Sequence, residues 1–255
     1  MTGTVLVTGA TGTLGREVVR LLAERGVAVR GLSRRARAGG DGVEWVVGDL
    51  ESGAGIAGAM AGVEVVVDCA TTQGKADVAA VRTLAAEARE AGVRHLVYVS
   101  IVGIDRVPLS YYRTKLACER LVRESGLGWT VLRATQFHDL VLRVFDASVK
   151  LPVFPVLSGA AFQPVDAREV AEALADLVGE GPAGFAPEVG GPRVRSYREL
   201  AEAYLRAAGK RRPLLPLRLP GATARGLRAG GNLTPERAVG RGTFEEALER
   251  RFGGR

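Results

Sequence analysis

Along the first half of the chain, short apolar runs alternate with stretches whose apolar residues recur at helical spacing. Thr4–Thr8 is such a run. It leads into Gly9, Gly12 and Gly15, and a helical pattern opens at once with Leu14, Val18, Leu21 and Leu22 on one face. Val27–Leu32 and Val43–Gly48 read as the next strands, followed by a helix of small residues around Glu51–Ala61. Glu64–Cys69 is an almost pure valine run, which suits a parallel strand buried on both faces. Asp77–Ala91 predicts a helix with Val78, Val81, Ala85 and Ala88 inward and Gly92 ending it. His95–Ile101 and Trp129–Ala134 are strands, with a helix over Ser110–Ser125 between them. Six strands joined by crossover helices predict an α/β fold with a doubly wound parallel sheet.

Beyond about residue 136 the alternation loosens. His138–Lys150 reads as a helix. Leu151–Gly159 is an apolar segment broken by prolines, with no regular element expected. Phe162–Val165 reads as a short strand. Asp166 with Glu169 forms a capping box for a helix carrying Val170, Leu174, Leu177 and Val178. Glu188–Pro192 suggests another short strand and turn. Ser196 with Glu199 is a second capping box, and Thr234-Pro235 and Thr243-x-x-Glu246 are further helix starts. Lys210–Leu219 is basic and proline-rich. The expected organisation is one unit: a core over 1–135 and a smaller substrate-covering lobe over 136–255, whose elements at about 162–179 return to the core.

At 255 residues and 47% hydrophobic content the chain can bury a full core. No apolar run approaches a membrane span and no signal peptide is expected, so the predicted location is cytoplasmic. Cys69 and Cys118 have no metal or disulfide spacing; they read as reduced packing thiols, and no metal site is expected. The net charge of +7 is mostly scattered arginine. With no aromatic interleaving and no helix-turn-helix pattern, nucleic acid is not the expected partner.

The chemistry begins at the glycines. Strand, G-x-x-G-x-x-G turn and helix in immediate succession is the context of a dinucleotide-binding fingerprint. Gly9 allows the sharp turn, Gly12 the approach of a pyrophosphate, and Gly15 close packing of helix on sheet. Helix-start N–H groups around Thr11, Thr13 and Leu14 face the phosphates. Strand two ends in Ser33-Arg34-Arg35, without the carboxylate that would hold a ribose 2′-hydroxyl. Arginine forks match phosphate oxygens, so NADP (NADPH) is the predicted cofactor. Asp49, in Gly48-Asp49-Leu50, is placed for the adenine edge. Ala70 and Thr71 leave room for the adenosine and pyrophosphate.

With these motifs on view, the chain resembles the atypical short-chain dehydrogenase/reductases of the NmrA-like group. These are NAD(P)-binding Rossmann proteins that include quinone reductases and isoflavone-reductase-like enzymes. The resemblance rests on Val7–Gly15, Gly48-Asp49-Leu50, His95–Ser100, Tyr111–Lys115 with Glu119, Leu132–Phe137 and Gln163–Ala171, and covers nearly the whole chain.

Tyr111 and Lys115 lie one helical turn apart on the same face. The resemblance implies that the tyrosine gives a proton to the substrate oxygen. It also implies that the lysine holds the nicotinamide ribose and lowers the phenol pKa. The superfamily's serine has no counterpart at Ile101, Val102 or Gly103; Ser100, at the end of strand five, is expected near the cofactor. His138 is a further candidate proton donor, whereas His95 reads as structural. Gln136, Phe137, Phe154 and Phe162 either line a flat apolar pocket or belong to the core.

The expected activity is NADPH-dependent reduction of a quinone or similar small conjugated carbonyl compound. The alternatives are a non-enzymatic NADP(H) sensor of NmrA type, and a nucleotide-sugar epimerase or dehydratase. The expected partner is an aromatic or conjugated small molecule. A homodimer is left open.

Overall fold

The computed structural model describes residues 3–39 and 42–253. The chain forms two compact units. The first comprises the residues up to Ser100, Ser110–Arg133 and Val170–Pro187; the second comprises Ile101–Leu109, Ala134–Glu169 and the residues from Glu188. In chain order the elements are β1 (Thr4–Thr8), α1 (Thr13–Glu24), β2 (Val29–Ser33), β3 (Val43–Val47), α2 (Ile56–Met60), β4 (Val63–Asp68), α3 (Ala76–Glu90), β5 (His95–Ile101), α4 (Ser110–Arg123) and β6 (Gly128–Ala134). There follow α5 (His138–Ser148), β7 (Phe154–Leu157), β8 (Ala161–Phe162), α6 (Ala167–Glu180), β9 (Gly184–Phe185), β10 (Arg195–Ser196), α7 (Tyr197–Ala207), β11 (Leu214–Leu217), α8 (Ala222–Arg228) and α9 (Phe244–Phe252).

The first unit is built on a seven-stranded sheet in the order β3-β2-β1-β4-β5-β6-β9. The six predicted strands are present, and the two-residue β9 adds a parallel edge beside β6. Strand order reverses between β1 and β4, and both pair in parallel. Their C-terminal ends therefore flank the crevice where ligands bind in such sheets. Leu6, Val66, Leu96 and Tyr98 share one core with Met60, Leu84, Ala88, Cys118 and Val122 of α2, α3 and α4. Strand alternation sends Val5, Val7, Val65 and Val67 to the opposite face, where α1 buries Leu14, Val18 and Leu22. The helix predicted over Glu51–Ala61 is only Ile56–Met60. Its first residues instead make a turn in which Asp49 accepts from the Glu51 amide and Gly53 donates to the Asp49 carbonyl.

The second unit has an aromatic core. Phe145 meets Phe154, Tyr197, Tyr204 and Phe244 edge-on at centroid distances of 5.2–6.4 Å. The proline-broken segment expected to be irregular contains β7, paired in parallel with β11 from the basic, proline-rich stretch. Phe154 and Ser158 donate to the carbonyls of Pro213 and Leu217. By alternation, the missing N–H groups of Pro155 and Pro216 point away from the shared ladder, so the prolines do not break it. The capping box at Ser196/Glu199 forms as expected, and the helix start expected at Thr243 is closed by a capping box between Thr243 and Glu246. The box predicted at Asp166/Glu169 does not form: Glu169 accepts from the amides of Arg241 and Gly242 instead.

Asp166 is tied to Arg168 and to Arg250 of α9, at 2.8 and 2.7 Å. Burial alone would raise its pKa, but the hydrogen bonds and charges of the two arginines hold it down at about 2, against an ordinary 3.8. The folded pKa is depressed, so the stabilisation is present above the ordinary value and lost as pH falls through about 2. Asp166→Asn should cost about 2 kcal/mol in urea unfolding at neutral pH. The two proteins should converge near pH 2, and a constant difference across that range would refute the assignment.

Candidate active site

The turn after β1 is shaped by contacts no side chain could share. Gly9 adopts φ +58°, and a Cβ there would lie 2.6 Å from the Cys69 carbonyl oxygen. A Cβ on Gly15 would lie 2.2 Å from the Gly9 carbonyl oxygen. The start of α1 is thereby pressed against the turn, whose own closure is the Gly12 amide donating to Gly9 O at 2.8 Å. No side chain caps α1, and its first turn carries no acidic residue. The Thr13, Leu14 and Gly15 amides consequently have no intrahelical acceptor. The Thr11 and Gly12 surfaces are exposed, while the Leu14 side chain is buried below them. This is a cradle for an anion of pyrophosphate size.

The other strand ends open on the same edge. Ser33 ends β2 and accepts from the Arg35 amide at 3.3 Å. The Arg34 and Arg35 side chains are exposed, and neither guanidinium has a partner among the described residues. Arg37 instead lies over the Trp45 ring. Asp49 is half-buried beyond β3. Leu50 was expected to contact cofactor, but its side chain belongs to the core with Leu32 and Ile56, leaving only its backbone for that role. At the end of β4, Asp68 is buried and accepts from Thr8 Oγ1 and from the Ala70 amide. Burial raises its pKa, with the Thr8 bond and the charge of Lys115 opposing. A lone acid closing a valine run beside the glycine turn is a signal that the sequence reading passed over.

Lys115 and Tyr111 both stand on α4. Lys115 is only 4% exposed. Its Nζ donates to the Val99 carbonyl at 2.8 Å and sits 4.0 Å from the centroid of the Tyr98 ring. Burial lowers its pKa against the charge of Asp68. Tyr112 is packed into the core, whereas Tyr111 is half-buried, its hydroxyl 3.0 Å from Thr71 Oγ1. The expected lowering of this phenol is not seen. Burial pushes it up to about 12, so it is a protonated acid at neutral pH. Ser100 is 4% exposed, and its Oγ has no partner among the described residues. His95 bonds Thr130 across to β6 and is held down at about 4 by burial, a structural role as expected.

His138 lies in the second unit and does not suit proton donation. It is 2% exposed, its Nε2–H donates to the Pro164 carbonyl at 3.2 Å, and its ring packs edge-on against Phe244. Burial lowers its pKa and keeps it neutral. Gln136, Phe154 and Phe162 resolve towards the core. Gln136 donates to Asn232 O and accepts from the Gln163 amide, while the Gln163 side chain bonds Gly191 and Thr234. Cys69 and Cys118 are free thiols, and no cluster among the described residues could hold a metal.

Residues 9–178 match the model of the NAD(P)H-binding family. The chain belongs to the NAD(P)H-binding family. The cradle, the strand-end arginines and the orphaned Ser100 hydroxyl are therefore read as fitting a nicotinamide dinucleotide. The chain is 37% identical to the (4-alkanoyl-5-oxo-2,5-dihydrofuran-3-yl)methyl phosphate reductase of Streptomyces griseus, over 81% of this chain and 74% of that protein. It is 32% identical to an NAD(P)H azoreductase of Xenophilus azovorans with the same coverage. The fold matches an NADPH-dependent quinone oxidoreductase of Escherichia coli complexed with NADPH (TM-score 0.81, 20% identity, 97% of this chain and 99% of that chain). It also matches NmrA, a negative transcriptional regulator (TM-score 0.72, 18% identity, 99% of this chain and 96% of that chain). The resemblance to atypical short-chain reductases holds, and with it the assignment as an NAD(P)H-dependent oxidoreductase. No helix among the described residues is long and apolar enough to cross a membrane.

Proposed function

We propose that this oxidoreductase uses NADPH to reduce a small conjugated carbonyl compound, an unsaturated lactone, enone or quinone. The carrying observation is the half-buried Tyr111, its hydroxyl held at Thr71, on the helix that also carries Lys115 and in the same compact unit as the glycine cradle. The relative named for reducing a dihydrofuranone phosphate supports this substrate class.

The α1 amides would hold the pyrophosphate, Arg34 and Arg35 the 2′-phosphate, Asp49 the adenine edge, and Lys115 and Ser100 the nicotinamide end. When bound, the nicotinamide would supply a hydride for an electrophilic carbon of the acceptor. Tyr111 supplies the proton, given to the carbonyl oxygen as its charge develops. Conjugation spreads that charge and limits how much acid catalysis the protein must provide, which suits a site without the superfamily's serine. On this reading the partner is a conjugated small molecule in the cytoplasm rather than nucleic acid, and the site asks for no second copy of the chain.

The test is NADPH oxidation against a panel of unsaturated lactones, enones and quinones. Turnover of at least one class is expected. NADPH binding without turnover of any of them would favour cofactor sensing, and thermal protection by a nucleotide sugar would favour an epimerase. Replacing Arg34 and Arg35 with alanine should raise the KM for NADPH about tenfold or more and leave that for NADH within about twofold, because only NADPH loses charge-assisted hydrogen bonds. Equal losses would separate the arginines from the 2′-phosphate.

A further inference from the structure

The Tyr111 hydroxyl is one end of a hydrogen-bond chain whose polarity is fixed. Thr71 Oγ1 lies 2.6 Å from Asp77 Oδ2, and the carboxylate can only accept, so the single hydroxyl proton of Thr71 is committed there. The Gln73 amide donates to the same Thr71 oxygen at 2.9 Å. One lone pair of Thr71 remains, and Tyr111 Oη at 3.0 Å fills it as donor. The other Asp77 oxygen accepts from the Thr72 amide at 2.6 Å and from Thr72 Oγ1 at 2.7 Å. Asp77 is buried in the first turn of α3. It thus gathers three donors from a two-residue stretch and holds the loop in which Gln73 adopts φ +58°, a left-handed conformation uncommon outside glycine. A buried carboxylate and a left-handed turn are both spent on fixing one threonine hydroxyl against one phenol.

We propose that Asp77 is a positioning residue of the reduction, touching neither substrate nor cofactor: through Thr71 it fixes where the Tyr111 hydroxyl sits and where its proton points. This rests on the reading of Tyr111 as the proton donor. In the resting site the phenol proton lies on Thr71. When a carbonyl oxygen arrives, the proton turns to it and passes over as the hydride forms the new C–H bond. The phenolate left behind lies beside a threonine whose hydroxyl can swing from Asp77 to it. The next proton comes from solvent, and the phenol resumes its bond to Thr71.

The titratable and charged groups around the phenol are Asp77 on α3, Tyr98 on β5, and Tyr112, Lys115 and Cys118 on its own helix. Asp68, on β4, acts on its neighbours Tyr98 and Lys115. Burial is the main reason the phenol stays protonated, and the Asp77 charge adds to it; with its own proton on Asp77, Thr71 can only accept from the phenol and so favours the protonated form as well. Asp77 therefore acts on the phenol twice, by its charge and by keeping the Thr71 proton away from it, an effect that general damage to the fold would not reproduce.

The experiment compares Asp77→Asn, Thr71→Val and Thr71→Ser, each with and without Tyr111→Phe. Tyrosinate absorbance and the pH profile of kcat/KM are both recorded to about pH 10.5. Wild type should show no Tyr111-dependent ionisation in that range. Asp77→Asn removes the charge and frees the Thr71 proton to donate to the phenolate, so the onset of a Tyr111-dependent ionisation should appear at the alkaline end of that range, with a matching fall in kcat/KM, and both should vanish with Tyr111→Phe. Thr71→Val should lower kcat about tenfold to a hundredfold, far more than it changes NADPH affinity, and show no such ionisation. Thr71→Ser should restore most of the rate. If Asp77→Asn titrates as wild type does, or Thr71→Val keeps full kcat, the proposal fails. The absorbance titration reads the chain even if no acceptor is reduced, so failure of the substrate assignment is seen separately from failure of this one.

Discussion

Replacing Gly15 with alanine is expected to abolish detectable NAD(P)H binding, whereas the same change at Gly12 should weaken it and leave the fold intact. Both glycines belong to one turn, and their surroundings differ. The atoms a Gly15 Cβ would meet are all backbone: Gly9 O at 2.2 Å, Gly9 C at 2.7 Å and Ala10 Cα at 3.0 Å. They cannot rotate away, because Gly9 is held in its left-handed conformation against Cys69 and Ala70 and its carbonyl already accepts from Gly12. The start of α1 would have to lift off the turn, which displaces the amides that make the phosphate cradle. Forced overpacking of this kind costs about 1–3 kcal/mol. A fall in Tm should therefore accompany a loss of affinity of about a hundredfold or more. Gly12 has φ −78°, a value alanine adopts without strain, and is exposed; its Cβ would meet Gly9 O at 3.1 Å, a tight contact that a shift of a few tenths of an ångström by the alanine relieves, against the 2.2 Å overlap at Gly15. Its methyl would stand where a pyrophosphate approaches. Fluorescence titration with NADPH and thermal unfolding of both variants separate the two effects. If Gly15→Ala kept wild-type affinity, the packing argument would be wrong.

That contrast also marks what the sequence makes legible. A glycine turn between a strand and a helix is a local device, so three glycines at fixed spacing carry it, and the structure keeps all three in the turn. The strand alternation is likewise local, and β1 to β6 follow it. Features that depend on a distant partner were not legible. β7 needed β11, some sixty residues away, before its prolines could be seen to face off the ladder. Glu169 had the spacing of a capping box, and the amides of Arg241 and Gly242 took its carboxylate instead. Gln136 follows a core strand, where a pocket role is reasonable, until Gln163 and Asn232 are found to consume its amide. Asp77 had one local signal: an acid in the first turn of a helix, six residues after a threonine. That pattern ordinarily marks a helix start, and only the phenol from α4 turns it into part of a site.

Tyr111→Phe should lower kcat about a hundredfold with an unsaturated lactone or simple enone, and by less than about tenfold with a quinone. The substitution removes one oxygen and keeps the ring. Thr71 loses a donor but retains the Gln73 amide and its own bond to Asp77, so the loop has no cause to move. NADPH affinity should be unchanged, since the cofactor-holding groups do not include the phenol oxygen. The split between acceptors follows from where the charge goes. In a lactone or enone the oxygen carries most of the developing charge, and a proton donor there is worth the usual 10²–10⁴-fold of general acid catalysis. A quinone ring delocalises that charge as it becomes aromatic, so the donor matters less. Because burial keeps the phenol protonated up to about 12, the wild-type rate should not fall through neutral to mildly alkaline pH on account of Tyr111. Steady-state kcat with one acceptor of each class, alongside the Kd for NADPH, provides the check. Equal losses with both acceptors would argue that Tyr111 orients substrate without giving up its proton. No loss with either would pass the proton-donor role to another group.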